Sequence, residues 1–129
     1  MKVVVVSGGF DPIHSGHIAY FKSAKKLGEK LIVALNSDAW LIKKKEKFFM
    51  PFEERKIIVE NMSMVDEVIN FEDDEAGSAS QALEKIKKLH PNDEIIFCNG
   101  GDRTKENIPE MQVSNISFEF SVGGEDKKN

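Results

Sequence analysis

The sequence predicts an α/β fold, a three-layer sandwich around a mainly parallel five-stranded sheet. Three observations lead there. The β-branched run Val3 to Val6 is closed by Ser-Gly-Gly, apolar runs alternate with helix-period segments along the whole chain, and glycine-rich turns follow strands at two points. The first strand, helix and second strand fit within about 35 residues, the dimensions of a right-handed βαβ crossover.

Each element has its own warrant. Val3 to Val6 lacks polar alternation, which suits a strand covered on both faces of a parallel sheet. From about Ser15, the residues Ile18, Phe21, Ala24 and Leu27 recur at helical spacing, with Gly28 as the expected stop. Leu31 to Leu35 is the second strand, followed by a lysine-rich connection. Pro51 opens a helix, since proline tolerates the first turn and Glu53 and Glu54 complement the amino-terminal dipole; Ile57, Ile58, Asn61 and Met62 continue it. Val65 to Phe71 alternates as a third strand. Ser78 or Ser80 caps a helix through Leu83, Ile86 and Leu89, which Pro91 ends. Ile95 to Cys98 is a fourth strand, and Ile116, Phe118 and Phe120 alternate as a fifth. No repeat and no long linker divides the chain, so one domain is expected over residues 1–129.

Composition narrows the function classes. With 40% hydrophobic and 31% charged residues, the chain is neither disordered nor of a membrane class. A formal charge of −4 argues against a general nucleic-acid binder, which needs a dominant basic surface. The single cysteine, Cys98, forms no internal disulfide, fits a reducing cytoplasm and reads as a small core residue. The apolar run in MKVVVVSGGF is too short for a signal peptide or a membrane span, so a cytoplasmic location without a membrane partner is expected.

The chemistry concentrates in SGGFDPIHSGH, Ser7 to His17. In such folds ligands bind at the carboxyl ends of the strands where the winding reverses, and Gly8-Gly9 and Gly100-Gly101 both follow strands. Gly8 and Gly9 let backbone amides approach an anion closely. His14 and His17 open the following helix, where a spacing of three puts both imidazoles on one face beside the free N–H groups and the helix dipole. A solvated helix start is the plainer reading of such a pair. Zinc is a weaker one, because Asp11, His90 and Cys98 lack suitable local spacing. Neither a Gly-Lys-Ser/Thr phosphate loop nor a GxGxxG array is present.

Ser7 to His17 resembles the HxGH signature of the nucleotidyltransferase superfamily. The similarity runs from Val3 to about Val68 through HSGHIAYFKSAKKLG, LIVALNSD, PFEERKIIVENM and VDEVI, and resumes at IIFCNGGD. It is strongest toward the small cytidylyltransferases acting on glycerol phosphate and the related adenylyltransferases acting on heptose phosphate, which share a Rossmann-like fold. The resemblance implies transfer of a nucleoside monophosphate from CTP, with ATP next, to a phosphorylated sugar or polyol, with Mg²⁺ beside the triphosphate. It implies a homodimer.

By the same resemblance, His14 and His17 donate to phosphate in catalysis, and backbone around Gly8, Gly9 and Phe10 contacts the nucleotide. Asp11 shapes the loop or positions the acceptor. The run KKKEK, Lys43 to Lys47, reads alone as a solvated charge run; the family's matching loop carries phosphate-binding lysines, which points to Lys44, with Lys43, Lys45 or Lys47 as substitutes where Glu46 interrupts the pattern. Arg55 alone reads as a surface partner of Glu53 and Glu54, whereas the resemblance makes it a bidentate phosphate ligand. Gly100, Asp102 and Arg103, in isolation a tight turn, become by the resemblance part of the nucleotide site, with Asp102 on the base, ribose or bound metal and Arg103 on the triphosphate or the acceptor. The carboxyl end departs from the family: Gly123 and Gly124 open a segment without the usual Ser/Thr cluster, leaving Lys127 and Lys128 as replacements. That departure motivates the alternative of a nucleotide-binding or regulatory module with weak turnover.

Overall fold

The computed structural model describes residues 1–73, 78–98, 110 and 113–119. Along the chain these form β1 (Lys2–Gly8), α1 (Ser15–Lys25), β2 (Lys30–Leu35), α2 (Asp38–Lys45), α3 (Phe52–Glu60), β3 (Glu67–Ile69), α4 (Ser80–Leu89), β4 (Glu94–Cys98) and β5 (Ser117–Glu119). The sheet order is β3-β2-β1-β4-β5, and every neighbouring pair is parallel. The fold is thus the expected Rossmann-like α/β sandwich. After β3 the chain crosses to the other side of β1, so the winding reverses between β1 and β4, the position beyond which ligands bind in open sheets of this kind.

The unbroken apolar strands are explained by cover on both faces. Val3, Val5, Ile32, Ala34, Ile95 and Phe97 pack with Ala82, Leu83 and Ile86 of α4. Their neighbours Val4, Val6, Leu31, Val33, Leu35, Ile96 and Cys98 pack on the opposite face with Phe21 and Ala24 of α1 and Val59 of α3. Each fully buried aliphatic side chain contributes about 1.5–3 kcal/mol, so this double layer dominates stability. Burial also pushes the Cys98 thiol up to about 12, with Glu119 adding to the effect, which keeps it an inert core group.

Several local expectations are revised. The lysine-rich connection is largely the helix α2: Ser37 Oγ accepts from Trp40 N at 3.0 Å, Asp38 sits in the first turn, and only Leu41 is buried, so little apolar period betrays it. The third strand is shorter than Val65 to Phe71, because only Glu67–Ile69 pairs with β2. Ile57 is exposed, and α3 buries Arg55 and Val59 instead. Gly28 is not a left-handed helix stop: α1 ends on Lys26 at φ −65°, and a Cβ on Gly28 would lie 2.7 Å from the Lys2 carbonyl oxygen and 2.8 Å from Val4 Cγ2. That glycine permits close passage over β1. At α4, Ser78 Oγ accepts from Ser80 N, while the buried Glu110 carboxylate accepts from Ala79 N at 2.6 Å, a cap supplied from far along the chain. Among the described residues no helix is long and apolar enough to cross a membrane.

Candidate active site

The two histidines are built into the start of α1. His14 is the N-cap, in extended backbone conformation, and its Nδ1 accepts from Gly16 N at 3.1 Å; His17 Nδ1 accepts in turn from His14 N at 3.1 Å. This is a capping box in which imidazoles replace the usual hydroxyl and carboxylate. The bonds assign the tautomers, because a ring nitrogen that accepts carries no proton, and a neutral imidazole then holds its proton on Nε2. Burial and then the neighbouring His14 hold His17 down at about 4, so it is neutral near pH 7. The rings stack with centroids 3.9 Å apart, and among the described residues neither Nε2 has a hydrogen-bond acceptor. Two Nε2–H donors therefore stand side by side on the first turn of a helix, where the dipole favours an anion.

Phe10 supports this arrangement from beneath. Its ring meets His17 edge to face at 4.9 Å and Phe21 at 5.1 Å, and its backbone is left-handed at φ 51°. Gly8 makes room for that ring, since a Cβ there would lie 2.8 Å from Phe10 Cζ. A Cβ on Gly9 would meet Leu41 Cδ2 at 2.6 Å. The space left by both glycines is thus filled by protein.

Asp11 shapes the loop. Its side chain is fully buried, with Oδ2 accepting from Phe49 N and Oδ1 from Met50 N, both at 2.7 Å, and Lys45 Nζ lies 3.5 Å from Oδ2. Burial alone would raise its pKa, but the two backbone donors and Lys45 outweigh that and hold it below the usual carboxylate range. Of the two readings for Asp11, loop shaping is the one its geometry supports; no face of the carboxylate is open to an acceptor. Lys45 also donates to the Asp11 carbonyl at 2.6 Å, while Lys44 Nζ sits 5.2 Å above the Trp40 ring. Lys45 is thus the lysine joined to the glycine loop, and Lys44 stands exposed beside it on α2.

Arg55 departs most from expectation. The resemblance implied a bidentate fork on phosphate and the plainer reading a surface partner of Glu53 and Glu54, yet the side chain is 0% exposed. Nε donates to Met50 O at 2.9 Å, Nη1 to Gly9 O at 2.9 Å and Asn36 O at 2.8 Å, and Nη2 to Asp38 Oδ1 at 2.7 Å. Four of five N–H groups are therefore engaged inside the protein, and the guanidinium packs on the Phe52 ring. Asn36 and Asp38 were missed as parts of the site, although the Asn-Ser-Asp following β2 carries a helix-cap signal that could have found them. Gly100, Asp102 and Arg103, like Gly123, Gly124, Lys127 and Lys128, lie outside the described residues.

The family described as Cytidylyltransferase-like matches residues 5–121. The bifunctional protein HldE of an Enterobacter species is 38% identical over 112 residues, covering 78% of this chain and 24% of that protein, and its Salmonella arizonae counterpart gives the same figures. The chain thus spans about a quarter of the length of these curated relatives. Among solved structures, the lipopolysaccharide core biosynthesis protein from Thermoplasma volcanium superposes with a TM-score of 0.72 at 22% identity, covering 93% of this chain and 95% of that one. A putative nicotinate-nucleotide adenylyltransferase from Vibrio parahaemolyticus gives 0.62 at 14% identity, covering 92% and 72%. These two likenesses establish the fold.

Proposed function

Since the chain belongs to the cytidylyltransferase-like family, we propose that it transfers a nucleoside monophosphate from a triphosphate, CTP ahead of ATP, to a phosphorylated sugar or polyol. The adenylyltransferase name of the Vibrio structure keeps ATP beside CTP, and the name of the Thermoplasma protein suits a sugar acceptor. The observation that carries the reading is the paired Nδ1 caps, which leave both Nε2–H groups available at one helix terminus.

In the reaction, an oxygen of the acceptor phosphate attacks the α-phosphorus. The new P–O bond forms as the bond to the bridging oxygen of the β-phosphate breaks, and pyrophosphate leaves with the electron pair. Charge builds on equatorial and leaving oxygens, so fixed donors and alignment serve better than a covalent nucleophile. His14 and His17 supply such donors, and His17, held down at about 4, stays neutral near pH 7 while it does so. Lys44 adds positive charge from α2, and Gly100, Asp102 and Arg103 are assigned to the nucleotide by the family resemblance.

Mg²⁺ accompanies the triphosphate in this reading and, when bound, neutralises phosphate charge. Among the described residues no group of three His, Cys, Asp or Glu side chains is placed to hold a metal, and each oxygen of the Asp11 carboxylate already accepts a backbone N–H. In this reading the ion is held chiefly by phosphate oxygens.

The test is a screen of the four common ribonucleoside triphosphates against a panel of phosphorylated sugars and polyols, read as pyrophosphate release. At least one pairing should release it in step with formation of the nucleotidylated acceptor. Nucleotide binding without release for every pairing would overturn the proposal.

A further inference from the structure

On the reading that a triphosphate binds at the loop after β1, we propose that Arg55 is a positioning residue which aims the Phe10 amide at a phosphate oxygen. A trans peptide unit points its C=O and its N–H in opposite directions. The Gly9 carbonyl is drawn onto Arg55 Nη1 at 2.9 Å, so the Phe10 N–H of the same unit is turned away from the guanidinium. Among the described residues that N–H has no hydrogen-bond acceptor.

Two further features fit a peptide plane held in place rather than at rest. Phe10 is left-handed at φ 51°, a conformation that a bulky residue keeps only when its surroundings impose it. Its ring lies against His17 at 4.9 Å, so the amide and the His17 donor are fixed through one residue. The same guanidinium anchors Asn36 O at the end of β2, Asp38 at the start of α2 and Met50 O ahead of α3. The amide is thereby referred to the frame that carries Lys44 and Lys45. Lysine cannot replace this, because its point charge lacks the planar fork that reaches several carbonyls at once.

The experiment records ¹H–¹⁵N spectra of the parent, Arg55→Lys and Asp38→Ala, free and titrated separately with CTP, ATP and inorganic pyrophosphate, alongside steady-state kinetics. In the parent, the Phe10 amide should move on adding a triphosphate. In free Arg55→Lys that resonance should already be displaced and its response to nucleotide should be lost. There kcat should fall about tenfold to a hundredfold, with the KM for triphosphate changed by less than about threefold. Asp38→Ala releases one corner of the guanidinium at a partly exposed side chain, and it should displace the Phe10 resonance in the same direction by less. That variant keeps the test decisive if Arg55→Lys does not fold. An unmoved Phe10 amide in the variants would overturn the proposal, as would a raised KM with kcat retained, the pattern of a direct phosphate ligand. If no triphosphate moves any amide of residues 8–17 in the parent, the phosphate-site reading itself fails, which is a separate result.

Discussion

Replacing His17 separates its two jobs, because capping α1 and donating to phosphate use different nitrogens of one ring. His17→Ala removes the acceptor for His14 N, a loss of about 1 kcal/mol for a helix cap, and the edge-to-face contact with Phe10, another 0.5–1.5 kcal/mol or so. Stability should fall by about 2 kcal/mol in denaturant titrations. Turnover should fall by about a hundredfold to a thousandfold, the usual consequence of removing one preorganised donor. His17→Glu restores an acceptor at the capping-box position that carboxylates ordinarily occupy, but it brings no proton and repels phosphate. It should recover roughly half of the lost stability and none of the lost turnover in pyrophosphate-release assays. Recovery of turnover together with stability in the Glu variant would mean that His17 serves only as a cap, and the proposed chemistry would fall.

Unfolded His17 titrates at 6.5 and the folded group at about 4, so between those values the unfolded state binds the extra proton, and stability is full above pH 6.5 and falls as the pH drops toward 4. At about 1.4 kcal/mol per pKa unit the loss is bounded at about 3 kcal/mol, less the screening at a ring that remains part exposed. Urea unfolding from pH 7 down to about 4.5 should show the decline in the parent and a shallower one in His17→Ala; identical profiles would contradict it. Gly28→Ala should destabilise by about 1–3 kcal/mol through the clash with Lys2 O and Val4. Gly28→Asn, which a left-handed cap would tolerate, should be no milder in thermal unfolding, and a mild Asn variant would restore the helix-stop reading.

The layered fold was legible in the residues because β-branched runs such as Val3 to Val6 have one stable solution, a parallel strand covered on both faces, and β1 meets it with Val3 and Val5 against α4 and Val4 and Val6 against α1. The histidine pair was legible for a similar reason: its spacing places both rings on the first turn whatever surrounds them. The fates of polar side chains were not. Arg55 reads like a surface partner of two glutamates, but two of its four acceptors are carbonyls 46 and 19 residues away that come within reach only once β1, β2 and α3 are assembled. Lys45 rather than Lys44 closes on Asp11 because α2 turns that side chain toward the glycine loop, a rotation no charge run encodes. Apolar periodicity reports which face of an element is covered; hydrogen bonds depend on where distant backbone ends up, and that is settled by packing.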